Sequence, residues 1–586
     1  MLNSFEQSLL CFTKKQQGCN WLEFLFSSWL LIFLGAAMTQ VSTQLSWWRG
    51  AVIYQIYPRS LLDTNGDGVG DLQGIIQKLD YIASLNVDAI WISPFFKSPM
   101  KDFGYDISDY RDVDPMFGTM NDFDKLIVKA HALGIKVVID QVLSHTSDQH
   151  QWFIDSRESK TNAKSDWYVW AEPKEDGTAP NNWLAIFGGC AWEWEPRRQQ
   201  YYLHNFLTSQ PDLNFHHPEV RQAVLDNVEF WLKKGVDGFR LDAITFCYHD
   251  ELLRDNPPKP KDKRQGRGFS EDNPYAYQYH YFNNTRPQTL GFIEELRALV
   301  DRYPGAMTLG EVSSEDSLST MAQYTQGEGR LHMAYSFELL TEDFSAAYIR
   351  QTVEELEASI GDGWPCWAIG NHDVQRVATR WGRNCSDPNM VKMLTAMLCS
   401  LRGSVCTYQG EELGLTEASI DFEQLQDPFG IAFWPKFKGR DGCRTPLPWT
   451  NSDKGAGFSD GAPWLPVAKE HLSASVAGQE SNQDSVLNAY RQFLQWRREH
   501  TPLIQGEIKF IDAPESILAF IREAEGIRYF ICFNLSDKCT EYRFSLSGEV
   551  DAKKLDVLSG HGLVTGRLID GGLALPAYSS FYGVLT

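Results

Sequence analysis

No Cys-x-x-Cys pair occurs in the 586 residues, and the eleven cysteines show no spacing suited to a metal cluster. A zinc ribbon and a thioredoxin-like redox site are therefore excluded. Cys366, Cys399 and Cys406 lie within apolar segments and read as buried free thiols rather than a disulfide framework. Basic charge is also scarce: 54 Lys and Arg face 76 Asp and Glu, a net charge of −22. Such a surface repels phosphate backbones and anionic lipid, which sets aside nucleic acid as a partner and leaves a small neutral substrate compatible. A long apolar run is missing as well. The nearest candidate, WLEFLFSSWLLIFLGAAM at 21–38, is interrupted by Glu23 and falls short of the ~20 residues of a membrane span. Lys14 and Lys15 precede it, and Gly35-Ala36-Ala37 offers a small-residue cleavage site. Three readings of the leader at 1–45 stay open: a signal peptide, a membrane anchor, or a false start with Met38 as the true one. The last implies a cytoplasmic protein and the first a periplasmic or secreted one. A membrane is involved only if 21–38 is retained.

Apolar content is plentiful at 43%, with 19 Trp and 23 Tyr. From residue 51 onward, β-prone runs alternate with helical stretches. The runs are 51–59, 87–94, 136–142, 238–244, 307–313, 334–340, 364–371 and 403–409. Helical spacing appears at 72–86, 117–134, 217–235, 291–303, 344–360, 388–402 and 486–500. The strands lack polar alternation, so they are expected to be buried on both faces of a parallel sheet. Eight strands with at least seven helices predict an α/β fold, a (β/α)₈ TIM barrel spanning 46–145 and 211–502. Residues 146–210, rich in Trp, Asn and Gly, read as a subdomain inserted in the loop after strand 3. From 503 to 586, short β-prone runs divided by turns predict a C-terminal antiparallel β-domain. Length alone does not fix the oligomeric state, monomer or homodimer.

Four segments carry the chemistry: DQVLSHTS at 140–147, GFRLDAI at 238–244, LGEVSS at 309–314 and IGNHDVQR at 369–376. Each ends a predicted strand, where barrel active sites form. They bring Asp242, Glu311 and Asp373, with Arg240, His145 and His372 beside them. Arg240 lies two residues before Asp242 on one strand, so both side chains share a face. The guanidinium is expected to keep Asp242 ionised, as a nucleophile requires. Glu311, near Asp242 and partly buried, is expected to have a raised pKa suited to a general acid.

On these segments the chain resembles the α-amylase superfamily of glycoside hydrolases, and within it the bacterial α-glucosidases and oligo-1,6-glucosidases. The run WWRGAVIYQIYPRS at 47–60 also resembles the usual opening of those enzymes. The resemblance spans roughly 45–586 and implies retention of the α configuration. It implies Asp242 as nucleophile, Glu311 as acid/base, and Asp373 as a third carboxylate that binds sugar hydroxyls. It further implies that His145 and His372 hold hydroxyls and that Asp140 supports the site. On KDFGYDISDY at 101–110 and GRDGCRTPLPW at 439–449, it implies that Asp102 and Arg444 hold the terminal glucose as a charge pair that blocks the far end. Tyr105 is implied to stack beneath the sugar and Phe187 to line the pocket. Arg440 by itself reads equally as an exposed salt-bridge residue. Ala243 follows the nucleophile, where the family's valine goes with α-1,6 cleavage and a smaller residue with α-1,4 preference. Maltose-like substrates are therefore expected, with transglucosylation, oligo-1,6-glucosidase, sucrose-cleaving and isomerase activities as alternatives on the same scaffold. Thr245 stands where relatives often carry Asn, which leaves the acceptor side open. A non-enzymatic alternative is a transporter heavy chain, which carries a similar ectodomain behind one membrane span.

DTNGDGVGD at 63–71 follows the first nine positions of a calcium loop. Asp63, Asn65, Asp67, the Val69 carbonyl and Asp71 would be the ligands, but position twelve is Gly74 instead of Glu. The expectation is a structural Ca²⁺, as in oligo-1,6-glucosidase relatives, and no organic cofactor.

Overall fold

The computed structural model describes residues 46–264, 273–382, 387–452, 455–544 and 550–586. The leader at 1–45, with its 21–38 segment, lies outside the described residues. Trp47–Thr586 forms one compact unit.

Eight strands form the centre: β1 (Val52–Ile56), β2 (Ala89–Ile92), β3 (Lys136–Val142), β4 (Gly238–Asp242), β5 (Met307–Val312), β6 (Met333–Ser336), β7 (Cys366–Ala368) and β8 (Ser404–Tyr408). All neighbours pair in parallel, β1 joins β8, and a bridge from Ala334 to Pro365 closes the ring between β6 and β7. The strands are almost entirely buried, as the lack of polar alternation required. Ile53, Trp91, Val138, Leu309, Tyr335 and Cys366 fill the interior. Leu79, Trp231, Phe292 and Leu394 seal the outer layer under the helices.

The main barrel helices are α1 (Leu72–Ser84), α2 (Met120–Ala132), α3 (Pro218–Lys233), α4 (Thr289–Val300), α5 (Ser317–Thr325), α6 (Ala346–Ile360), α7 (Pro388–Leu398) and α8 (Val486–Arg498). Their starts are set locally. Asp71 caps α1 through the Gly74 N–H, Thr119 and Asp122 form a capping box on α2, and Ser485 caps α8. Helix α5 was not legible in sequence, because SLSTMAQYT is short and rich in hydroxyls. Two expected strands are shorter than their apolar runs. The run 334–340 leaves the sheet after Ser336 and ends in a 3₁₀ turn, Glu338–Leu340. The run 364–371 is strand only at Cys366–Ala368, which frees Ile369 to Asp373 as a loop.

The insertion after β3 holds a helix (Gln151–Glu158) and a three-stranded antiparallel sheet around Trp183, Trp192 and Leu203. Bridges His145–Asp212 and Tyr168–Leu213 anchor it to the barrel rim. The C-terminal region builds a five-stranded and a three-stranded sheet whose paired strands, apart from one isolated bridge, run antiparallel. Its central hairpin turns at Glu525 and Gly526, both at positive φ (53° and 77°), as a two-residue hairpin loop demands. Arg522, fully buried, docks this region by donating to the carbonyls of Ser400 (2.6 Å), Leu401 (2.7 Å) and Gly506 (2.7 Å). Among the described residues, Cys247, Cys366, Cys399, Cys406, Cys443 and Cys532 are buried free thiols.

Candidate active site

The sheet register gathers the acids. Asp242 is the last residue of β4 and Glu311 lies one residue from the end of β5, so both sit at the carboxyl rim. Arg240, fully buried, lies between them. Its Nη1 donates to Asp242 Oδ1 (2.6 Å) and Asp140 Oδ1 (2.9 Å), while its Nη2 donates to Glu311 Oε1. Glu311 Oε2 accepts the Ala243 N–H at 3.1 Å. Asp242, Glu311 and Asp373 line one cavity with Asp102, Tyr105, His145, Phe187, Ala243, His372 and Arg440.

Three carboxylates share that one guanidinium. Arg240 therefore does not by itself hold Asp242 low, contrary to the expectation. Burial pushes Asp242 up to about 7 against the pull of Arg240, and Asp140 up to about 6. Burial also raises Glu311 to about 7, again opposed by Arg240 and reinforced by Asp242. Asp373 goes the other way. Burial opposes its charge, but His372 where it is protonated, together with Arg440 and Arg444, keeps its carboxyl well below the usual range. Both imidazoles are neutral near pH 7, because burial lowers His145 to about 4 and His372 to about 3. His372 stacks on Tyr105 (5.3 Å, 6°), with Nε2 2.5 Å from the Tyr105 hydroxyl and Nδ1 2.7 Å from Gln55 Nε2. His145 donates from Nε2 to the Tyr105 carbonyl at 3.1 Å.

The far end is closed differently from the expectation. Asp102 pairs with Arg440 (3.0 Å), not with Arg444. Arg440 is buried and also binds Asp427 (2.7 Å) and Asp373 (3.2 Å), so it is no exposed salt-bridge residue. Arg444 lies to the side, donating to the His372 carbonyl (2.7 Å) and to Asp373 Oδ1 (3.0 Å). Burial brings Asp102 up to about 6 despite Arg440. Phe187 faces the Arg440 guanidinium at 5.2 Å and Phe429 at 5.1 Å. Sequence reasoning did not single out Tyr335, Gln210, Phe206, Phe246, Phe337, Asp427 or Phe429. Tyr335 and Asp427 contact the central arginines, Gln210 donates to Asp102 (3.1 Å), and the other four line the cavity. Only Gln210 had a cue, its place at the end of the insertion.

In the 63–71 loop the carboxylates accept the loop's own donors. Asp63 accepts the N–H groups of Asn65 (3.0 Å), Gly66 (2.8 Å) and Gly68 (2.8 Å) and the Ser459 hydroxyl (2.6 Å). Asp67 accepts the Val69 N–H, and Asp71 is taken by Thr64 and the α1 cap. A Cβ at Gly74 would meet the Leu62 carbonyl oxygen at 2.0 Å, so no side chain fits at position twelve. No group of three or more His, Cys, Asp or Glu suited to a metal ion exists among the described residues.

The catalytic-domain model of the α-amylase family matches residues 55–506. The chain belongs to the α-amylase family. This family member is 52% identical over 542 residues to a probable α-glucosidase of Rhizobium meliloti, covering 92% of this chain and 97% of that one. It is 37% identical over 536 residues to the oligo-1,6-glucosidase of Heyndrickxia coagulans, covering 85% and 93%. Among solved structures it is similar to an α-glucosyl transfer enzyme, with 63% identity, a TM-score of 0.90, and coverage of 93% and 100%. The trehalulose synthase of Pseudomonas mesoacidophila is also similar, with 31% identity, a TM-score of 0.83, and coverage of 92% and 100%. This α-amylase family protein is thus an enzyme, a glycoside hydrolase on a TIM barrel with a C-terminal β-domain.

Proposed function

We propose that the enzyme is a retaining, exo-acting α-glucosidase. It removes terminal α-1,4-linked glucose from maltose and short malto-oligosaccharides, and it can pass the glucosyl group to an alcohol in place of water. The observation that carries this reading is the single guanidinium of Arg240 holding Asp242 and Glu311 on one cavity wall. Two acids on one guanidinium suit double displacement rather than the wider spacing that admits a water between them. Asp242 Oδ2, the oxygen Arg240 does not hold, attacks the anomeric carbon. The bond from that carbon to the glycosidic oxygen breaks as Glu311 passes its proton to the leaving oxygen. Glu311 then takes a proton from water or an alcohol, which displaces Asp242 and restores the α configuration. Asp373, ionised beside two guanidiniums, favours the positive charge of the transition state and binds hydroxyls with His145 and His372. The buried Asp102–Arg440 pair on the cavity lining supports exo action. Ala243 supports the α-1,4 preference, and the likeness to an α-glucosyl transfer enzyme supports transfer.

Following the first glucose released from maltose by proton NMR tests this reading. The α anomer is expected first, with maltose preferred to isomaltose and sucrose and no turnover in Asp242→Asn. Initial β-glucose would overturn retention, and an isomaltose preference would overturn the linkage.

The calcium reading is kept as a proposal about stability alone. The oxygen-rich set Asp63, Asn65, Asp67 and Asp71 supports it. No helix among the described residues is long and apolar enough to cross a membrane. The cytoplasmic reading is supported by the buried free thiols.

A further inference from the structure

Glu311 and Tyr335 are register partners on adjacent strands β5 and β6, so the pairing itself brings the phenol to the carboxyl. The Tyr335 hydroxyl donates to Glu311 Oε1 at 2.9 Å. It accepts from Arg240 Nη2 (2.8 Å) and Nε (3.2 Å). With its acceptor side occupied by guanidinium N–H groups, its one proton is directed to Glu311. The ring is buried, packed against Trp91 at 6.3 Å, and burial lifts the phenol well above its ordinary pKa, so it stays a donor.

Oε1 is thus a double acceptor, from Arg240 and from Tyr335. A proton placed there would break one of these charge-assisted bonds. Among the described residues, Oε2 accepts only the Ala243 N–H, at 3.1 Å. We propose that Tyr335 is the positioning residue of the general acid: it fixes the acidic proton on Glu311 Oε2 and steadies the carboxylate that forms as that proton leaves. The inference rests on the proposed acid/base role of Glu311. Tyr335 is not among the residues that line the cavity. The proton moves from Oε2 to the glycosidic oxygen while the bond from that oxygen to the anomeric carbon breaks. The Tyr335 bond to Oε1 strengthens as negative charge appears on Glu311.

This role is separable from a structural one, because its value depends on how much acid help the leaving group needs. Maltose departs as a poorly acidic sugar alcohol, whereas p-nitrophenyl α-glucoside departs as a stabilised phenolate. Tyr335→Phe is expected to lower kcat/KM on maltose by about 10–100-fold, the worth of one hydrogen bond to a charged group. On the aryl glucoside the fall should be under about threefold, with KM little changed on either substrate. Loss of a donor to the carboxylate also moves the alkaline limb of the maltose profile to higher pH. An equal fall on both substrates, or an unmoved limb, overturns the proposal.

Glu311→Gln is the control. It should show the same split between substrates, only larger. If it does not, the acid role of Glu311 fails. If it does and Tyr335→Phe does not, only the present inference fails. Should Tyr335→Phe fold poorly, a ring-difluorinated tyrosine at 335 keeps the shape and is a stronger donor. Its alkaline limb is expected to move to lower pH, and an unchanged limb overturns the proposal.

Discussion

Arg440 Nη2 lies 3.0 Å from Asp102 Oδ1 and joins the loop after β2 to a segment 338 residues further along the chain. The same guanidinium holds Asp427 and Asp373, so three carboxylates depend on it. Arg440→Ala leaves buried charges unpaired and is expected to destabilise the fold by roughly 3–5 kcal/mol. Urea unfolding measures that loss. Activity on maltose should fall at least about 100-fold, because the proposed wall for the terminal glucose is gone. A variant as stable as the parent would show that the cluster is not a structural keystone.

The acid must carry its proton to act, and Glu311 is raised to about 7 by burial. Activity is therefore lost on the alkaline side as pH rises through about 7, and on the acid side it falls as the Asp242 nucleophile, itself raised to about 7 by burial, takes up a proton. The alkaline limb of kcat/KM on maltose should sit there and vanish in Glu311→Gln.

Azide separates the two roles by stereochemistry. In Asp242→Gly, with α-glucosyl fluoride, azide takes the nucleophile's place and the product is β-glucosyl azide. In Glu311→Gln, azide attacks a glucosyl-enzyme and gives the α product. Exchanged products would exchange the roles.

Ala243 sits at φ 45°, ψ 38°, in the left-handed region. A branched side chain there is strained. Ala243→Val should raise activity on isomaltose relative to maltose and cost about 1–2 kcal/mol of stability. An unchanged ratio together with the stability loss would leave backbone strain as its only effect.

Glu411 is buried, its Oε1 has no hydrogen-bond partner among the described residues, and burial raises its pKa to about 8. A carboxyl raised on folding favours the folded state in acid, and that advantage is lost as pH climbs from its unfolded value through about 8. Glu411→Gln should therefore melt higher than the parent at pH 8, with the gain shrinking toward pH 5. A constant difference across this range would refute the linkage.

If the 63–71 loop holds calcium, EDTA lowers the melting temperature, added Ca²⁺ restores it, and Asp67→Ala abolishes the response. No change with EDTA means that the turn network suffices.

The sequence by itself determined the barrel, because eight doubly buried strands leave an unbroken apolar signature and helix caps such as Thr119 and Ser485 act within one turn. It also placed Asp242 and Glu311 at strand ends and Asp373 on the loop after a strand, since each lies close to the run that positions it. Partners were legible only when the same segment carried both, as with Arg240 and Asp242. Tertiary structure alone decided that Asp102 meets Arg440 rather than Arg444, that Asp427 completes their cluster, and that Tyr335 reaches Glu311. Those contacts depend on strand register and on the path of long loops, which join residues distant in the chain and leave no periodic trace. The protonation of the site was likewise decided in three dimensions, because it depends on how many carboxylates share one buried guanidinium.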